Sequence, residues 1–196
     1  MSKFNISYIS YYSLLSSGRV VNIMQDSSDG ACLSLHHINY LLGYTKMLSK
    51  HSKIRVESLS DILCVDLISL SHFSGSRFKL SYNFLSYRAG RFYIEVYLGS
   101  IGTLETLDKI YLSANWLERE VWDMFGIFFI KSKDLRRILT DYGFNGFPLR
   151  KDYPVVGFDE VRYDDELKII MHESVEFAQE FRSMSFEQCW VGLKGG

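Results

Sequence analysis

The strongest constraint on the fold is a pair of alternating runs on either side of a glycine. Arg77-Phe78-Lys79-Leu80-Ser81-Tyr82-Asn83-Phe84-Leu85 alternates polar with apolar until its end, and Phe92, Ile94, Val96 and Leu98 alternate again after Ala89-Gly90. Side chains of a strand point to opposite faces with a period of two, so both runs predict half-buried strands joined as a β-hairpin. The period then changes. Leu117, Val121, Met124 and Phe125 fall at i, i+4, i+7 and i+8, which is one face of a helix over Leu112 to Phe125. Ser113 is placed to cap its start, and Gly126 stands where helices end in a left-handed residue.

Weaker signals fill in the rest of this half. Arg19 to Met24 has strand character, Leu35 to Lys50 approximates helical spacing with Gly43 as a weakness, and Ile62 to Leu70 predicts a well-buried strand. Ile127 to Ile130 predicts a short core strand. After Lys131 the prolines Pro148 and Pro154 and the glycines at 143, 146 and 157 interrupt any long element. There only Leu135 to Leu139 suggests a helical turn, and Phe158 to Tyr163 with Leu167 to Met171 a hairpin across Asp164-Asp165. The fold class expected is therefore α+β. A compact domain of antiparallel strands and helices (1–130) precedes an extended, largely irregular C-terminal segment (131–196). That segment is rich in aromatics, from Tyr142, Phe144 and Phe147 through Tyr153, Phe158 and Tyr163 to Phe177, Phe181, Phe186 and Trp190. Disordered tails are poor in aromatics. These rings must pack on the chain's own domain or on another protein, and composition leaves both open.

Several chemistries find no support. A net charge of −1 lacks the basic footprint of a nucleic-acid binder. Cys32, Cys64 and Cys189 are dispersed, without a CxxC pair, and fit small buried residues better than disulfides or cluster ligands. His36, His37, His51, His72 and His172 form no HExxH pair, and there is no Walker A loop, GxGxxG turn or GxSxG elbow. No run supplies the ~20 predominantly apolar residues of a spanning helix. The start is neither a secretory signal nor an Arg-rich transit peptide, and abundant Tyr, Phe, Ile and Ser with scarce Ala and Pro suit an AT-rich gene.

The densest charge cluster is Glu118-Arg119-Glu120 with Asp123. On a helix, Glu118, Arg119 and Asp123 avoid the apolar stripe, and Arg119 and Asp123 stand four apart. A solvated helix face is one reading, and a fixed ion-pair network at an interface is the other. Acid/base catalysis by paired carboxylates ranks last, because no nucleophile or metal-ligand pattern accompanies them.

The stretch Ala114-Asn115-Trp116-Leu117-Glu118-Arg119-Glu120-Val121-Trp122-Asp123-Met124-Phe125-Gly126-Ile127 resembles the signature of the thirty-kilodalton subunit family of respiratory complex I (NADH-ubiquinone oxidoreductase), the mitochondrial subunit 9 type. The likeness continues through Asp134-Leu135-Arg136-Arg137-Ile138-Leu139-Thr140-Asp141-Tyr142-Gly143-Phe144, then Gly146, Pro148-Leu149-Arg150-Lys151-Asp152-Tyr153-Pro154 and Glu160 to Asp164, and closes at Glu176 to Arg182. It runs from about Asn115 to Arg182; the first half is similar only in its pattern of elements. In two places this chain departs from the usual family pattern. Ser132-Lys133 stands where His-Pro is usual, and Phe147 stands at the histidine of Gly-His-Pro. Thr140 to Gly143 is similar to mitochondrial and bacterial members rather than the plastid counterpart.

The resemblance implies a structural subunit of the hydrophilic arm of proton-pumping NADH–quinone oxidoreductase, supporting assembly of the quinone-reducing module. Its implied partners are chiefly the forty-nine-kilodalton subunit and neighbouring quinone-module subunits. It implies no cofactor in this chain, with FMN, iron–sulfur clusters and ubiquinone held by other subunits. The implied location is the matrix side of the mitochondrial inner membrane, with the gene in the mitochondrial genome. The alternative is the equivalent subunit of a bacterial complex I or a related membrane hydrogenase complex. Candidate interface residues, read as positioning rather than catalytic groups, are Glu118, Arg119, Glu120, Asp123, Asp134, Arg136, Arg137, Asp141, Tyr142, Gly143, Arg150, Lys151 and Asp152.

Overall fold

The structure, a computed structural model, describes residues 20–25, 31–35, 41–68, 75–88, 90–176 and 182, with backbone alone for the first two segments. Two compact units divide the chain, Met1–Tyr153 and Pro154–Gly196.

In the first unit the alternating runs form the expected hairpin, β4 (Phe78–Ser86) and β5 (Gly90–Leu98). Its register sets Phe78 opposite Leu98, Leu80 opposite Val96, Tyr82 opposite Ile94 and Phe84 opposite Phe92. All eight face the core and are buried. The Phe84 ring packs against Phe92 and Tyr111 with centroids 5.5 and 5.6 Å away, the spacing at which aromatic pairs add about 0.5–1.5 kcal/mol beyond burial. Around this hairpin the strands β1 (Val20–Gln25), β2 (Ala31–Leu35) and β3 (Ser58–Asp66) complete a sheet of order β1-β2-β5-β4-β3. The β2–β5 pair is parallel, and the others are antiparallel. Parallel neighbours need a long crossover; here it contains β3, β4 and the helix α1 (Leu41–Lys50), which buries Leu41, Tyr44, Thr45 and Leu48. Of the helix expected over Leu35 to Lys50, Leu35 instead ends β2, and residues 36–40 lie outside the described residues.

Strand β3 departs from its sequence reading. It begins at Ser58, earlier than expected, and ends at Asp66, while residues 69–70 lie outside the described residues. Only one of its faces is well covered, which leaves Leu63 and Val65 about half exposed. An irregularity in pairing between Leu59 and Asp61 lets Leu59 and Ile62, three apart, both face inward.

Helix α2 (Ala114–Phe125) packs on β3. Gly126 closes it as expected, at φ 74°, with its N–H donating to Trp122 O. Ser113 stands at the N-terminus but does not cap it. Its backbone is already helical, and its hydroxyl donates to Leu59 O at 2.9 Å, so the residue tethers the helix to β3 instead. Short strands β6 (Thr103–Glu105) and β7 (Phe128–Ile130) pair in parallel; only Phe129 of β7 is buried, because Phe128 and Ile130 point outward.

The domain boundary expected at 130/131 falls inside the first unit, which runs to Tyr153. The N–H of Leu149 donates to Met124 O, that of Lys151 to Asp66, and Arg150 Nε to Phe125 O. The second unit contains the expected hairpin, β8 (Asp159–Asp164) with β9 (Ile169–Ser174), whose turn is closed by Asp164 Oδ1 accepting the N–H groups of Glu166 and Leu167. Phe177, Phe181, Phe186, Trp190, Cys189, His36, His37 and His72, and the side chain of Cys32, lie outside the described residues. Among the described residues no helix is long and apolar enough to cross a membrane.

Candidate interface site

Helix α2 carries two carboxylates that the sequence places on its polar side, and both are completely buried. The helical wheel puts them off the apolar stripe correctly; what it cannot show is that a second layer of chain covers that side.

Asp123 is the hub of this layer. Its Oδ2 accepts the N–H groups of Ile138, Leu139 and Thr140 at 3.2, 2.7 and 3.0 Å. Its Oδ1 accepts the Thr140 hydroxyl at 2.7 Å and faces Arg137 Nη1 at 3.4 Å. Segment 135–139 is therefore an open loop wrapped around a carboxylate, not the helical turn its sequence suggests. Burial works against the charge, but the Thr140 hydroxyl and the three amides outweigh it and hold the Asp123 pKa below the usual range.

Arg137 continues the network, donating to Gly146 O at 2.8 Å and lying over the rings of Phe147 and Phe144, 5.1 and 5.8 Å from their centroids. The expected Arg119–Asp123 pair does not form. Arg119 is 9% exposed, donates from Nε to Arg136 O at 2.9 Å and stacks 4.8 Å over Trp116. Glu120 is exposed.

A second cluster joins the 150–152 segment to the sheet. Arg77 bridges Asp66 and Asp152 at 3.2 and 2.8 Å, and Asp66 also accepts the N–H groups of Lys151 and Ile68 at 3.1 Å each. Against the cost of burial, these donors keep Asp66 ionised below its ordinary range. Arg150 donates to Phe125 O at 2.6 Å, and its guanidinium stacks 4.5 Å over Phe147 and 5.4 Å over Phe78. Sequence reading missed Asp66 and Arg77. Asp66 ends β3 and Arg77 immediately precedes β4 at the facing end, but both strands carry other polar and charged residues, so no local signal singles the pair out. It also missed Thr106, whose hydroxyl donates to Glu118 at 2.5 Å beside the Leu107 N–H at 2.7 Å.

The remaining candidates lie at the surface. Asp134 and Arg136 form a local ion pair at 2.8 Å. Asp141 accepts the N–H of Tyr142 at 2.8 Å, and the Tyr142 side chain is fully exposed, as is most of Leu139. Gly143 and Lys151 are exposed, and Asp152 meets Arg77 from an exposed position. Of the two positions that depart from the family pattern, Phe147 packs 5.6 Å from Trp122, and the Ser132 hydroxyl lies 3.5 Å from Asp134 O. His51 accepts the N–H groups of Lys53 and Ile54, and burial pushes the Cys64 thiol up to about 12. Among the described residues no three His, Cys, Asp or Glu side chains are grouped to hold a metal ion.

Comparison with known proteins places this geometry in a family. Residues 37–159 match the family described as the respiratory-chain NADH dehydrogenase, 30 Kd subunit. NADH-ubiquinone oxidoreductase subunit 9 of Prototheca wickerhamii is 48% identical over 152 residues, covering 77% of each chain. The subunit 9 of Reclinomonas americana is 43% identical over 155 residues, 79% of this chain and 74% of that one. NADH dehydrogenase [ubiquinone] iron-sulfur protein 3 of Arabidopsis thaliana is 44% identical over 159 residues, covering 81% and 82%. The trypsin-resistant fragment (1–134) of Nqo5 shares the fold at 24% identity and a TM-score of 0.52, over 66% of this chain and 98% of that one. The chain belongs to the thirty-kilodalton subunit family of the respiratory-chain NADH dehydrogenase.

Proposed function

We propose that the chain is a cofactor-free structural subunit of the hydrophilic arm of NADH–quinone oxidoreductase, supporting assembly of the quinone-reducing module against the forty-nine-kilodalton subunit. The observation that carries this reading is the use made of the signature charges. Asp123, Arg137 and Arg150 bind the chain's own backbone, and by doing so they fix a loop that turns Leu139 and Tyr142 outward. An exposed tyrosine on a hydrogen-bonded loop is interface chemistry, because Tyr is favoured at the points that carry binding energy and a preformed loop loses less freedom on binding.

The second unit supports the same reading. Val161, Tyr163, Ile169 and Ile170 of its hairpin are exposed, and a two-stranded hairpin in water is marginal without a surface to pack on. Relatives named as subunits of NADH-ubiquinone oxidoreductase support membership of that multi-subunit complex and a mitochondrial location. We extend this to the matrix side of the inner membrane and to a gene carried in the mitochondrial genome.

The test has two arms. Purified from its organelle in mild detergent, the tagged chain should bring down complex I subunits, with the forty-nine-kilodalton subunit among them; recovery alone would overturn the assignment. Purified by itself under anaerobic conditions, it should show no stoichiometric flavin or iron–sulfur absorption. Such a spectrum would refute the cofactor-free role.

A further inference from the structure

We infer that the buried Glu118 carboxyl, bonded to Thr106 and Leu107 and set near the buried Asp108, makes the junction between α2 and the segment after β6 a pH-sensitive latch. The inference is independent of the subunit's role in its complex and rests on three buried groups.

Glu118 reaches from α2 to the segment after β6, where Thr106 and Leu107 donate to its two oxygens. The Thr106 hydroxyl in turn accepts the N–H of Asp108 at 3.1 Å, so one hydroxyl ties both acidic residues together. Asp108 is 4% exposed, and neither of its carboxylate oxygens has a hydrogen-bond partner. Above them, from β4, the fully enclosed Tyr82 hydroxyl also lacks a partner and lies within electrostatic reach of Glu118.

The charged and titratable groups facing this junction are few. Strand β4 contributes Tyr82, β3 contributes Cys64, which acts on Tyr82, and the segment after β6 contributes Asp108. On α2 itself, Arg119 is turned to Arg136 O and Trp116, and Glu120 is exposed. No cation among the described residues acts on Glu118. A buried carboxylate without a countercharge ionises at a cost, and the nearby Asp108 adds to that cost for Glu118. Burial is the main force on Glu118. Its two hydrogen bonds oppose burial and the Asp108 charge adds to it, which leaves the Glu118 carboxyl pushed up to about 7.

The sign follows from linkage. An acid whose folded pKa is raised stabilises the fold fully below its unfolded value, and that contribution is lost as pH rises through the folded value. From an ordinary 4.5 to about 7, the folding equilibrium falls by roughly 300-fold.

Denaturant unfolding of the full-length chain between about pH 3 and about pH 9 tests this. Glu118→Gln carries the neutral form at every pH. Relative to it, wild type should lose the roughly 300-fold progressively as pH rises from about 4.5 to about 7, and Asp108→Asn should make that loss smaller and complete at lower pH. Parallel profiles for wild type and Glu118→Gln, or a loss unchanged in size by Asp108→Asn, would overturn the latch. Should either variant fail to fold, infrared titration of wild type with ¹³C-labelled glutamate decides. A buried carboxylic-acid band that disappears near neutral pH is expected, and glutamates ionised throughout that range would overturn the proposal.

Discussion

Replacing Asp123 by Asn keeps the shape of the hub and removes its charge. If the amide oxygen takes the Oδ2 position, the N–H groups of Ile138, Leu139 and Thr140 keep an acceptor, but a neutral one. Hydrogen bonds to charged groups contribute ~1.5–3 kcal/mol against ~0.5–1.5 for neutral ones, so three such bonds together lose ~3–4.5 kcal/mol. The amide NH₂ then faces Arg137 and the Thr140 hydroxyl; the hydroxyl can turn to accept, but the guanidinium cannot. Relief from burying a charge offsets part of this, for a net cost of ~2–4 kcal/mol; Asp123→Ala, which strands all five donors, should cost ~3–5. Either is a large share of a typical ~5–15 kcal/mol.

The assay is urea unfolding of the free chain, with hydrogen exchange read at the three loop amides. Because the folded pKa of Asp123 lies below its ordinary value, its contribution is present above the unfolded value and is lost as pH falls through the folded one. The gap between wild type and Asp123→Asn should therefore shrink below about pH 4. A loss under ~0.5 kcal/mol, or unchanged protection at all three amides, would refute the hub, since surface substitutions stay within that range.

Three further outcomes follow from the same geometry. Arg119→Ala removes the bond to Arg136 O and the stack on Trp116 but strands no carboxylate, so ~1.5–3 kcal/mol is expected, with less assembled complex on native gels and normal turnover per complex; normal assembly without turnover would place Arg119 in the reaction. At Gly126 an added Cβ would meet Arg150 Nη2 and the Phe147 ring at 2.6 Å, on a backbone at φ 74°, and Gly126→Ala should lower the thermal midpoint and cost ~1–3 kcal/mol. Limited trypsin digestion of the free chain should cut at Arg162 or Lys168, beyond Tyr153, before Arg136 or Arg137; the reverse order would separate 131–153 from the first unit.

Elements carried by side-chain period were legible in the sequence. The β4–β5 hairpin and α2 with Gly126 at its end each express a local rule about which face is apolar, and the β8–β9 hairpin follows its turn at Asp164-Asp165. The pairing of β2 with β5 was not, because a parallel contact across a long crossover leaves no local trace. Nor was the inward face of β3, where one irregular pairing step changes the side to which the preceding residues point.

The site was legible in composition and hidden in role. Asp123 and Glu118 were visible as acids off the apolar stripe, and the inference from charge to solvent failed because their partners are mostly backbone amides, which every residue possesses and no sequence distinguishes. Phe147 shows the same limit from the other direction. Read as a departure from the family pattern, it gives no hint of its surroundings. In the fold it lies between Arg137 and Arg150, with Trp122 at its edge, so one ring supports both guanidinium groups that tie residues 137–150 to α2 and to each other. An aromatic face attracts a cation whose hydrogen bonds point elsewhere, and here both arginines spend their N–H groups on carbonyls, of Gly146 and of Phe125. The layer over α2 is thus held by three kinds of contact at once: amides on a carboxylate, guanidinium groups on carbonyls, and those same groups on a ring. This is why residues 131–153, irregular by every local signal, belong to the first unit.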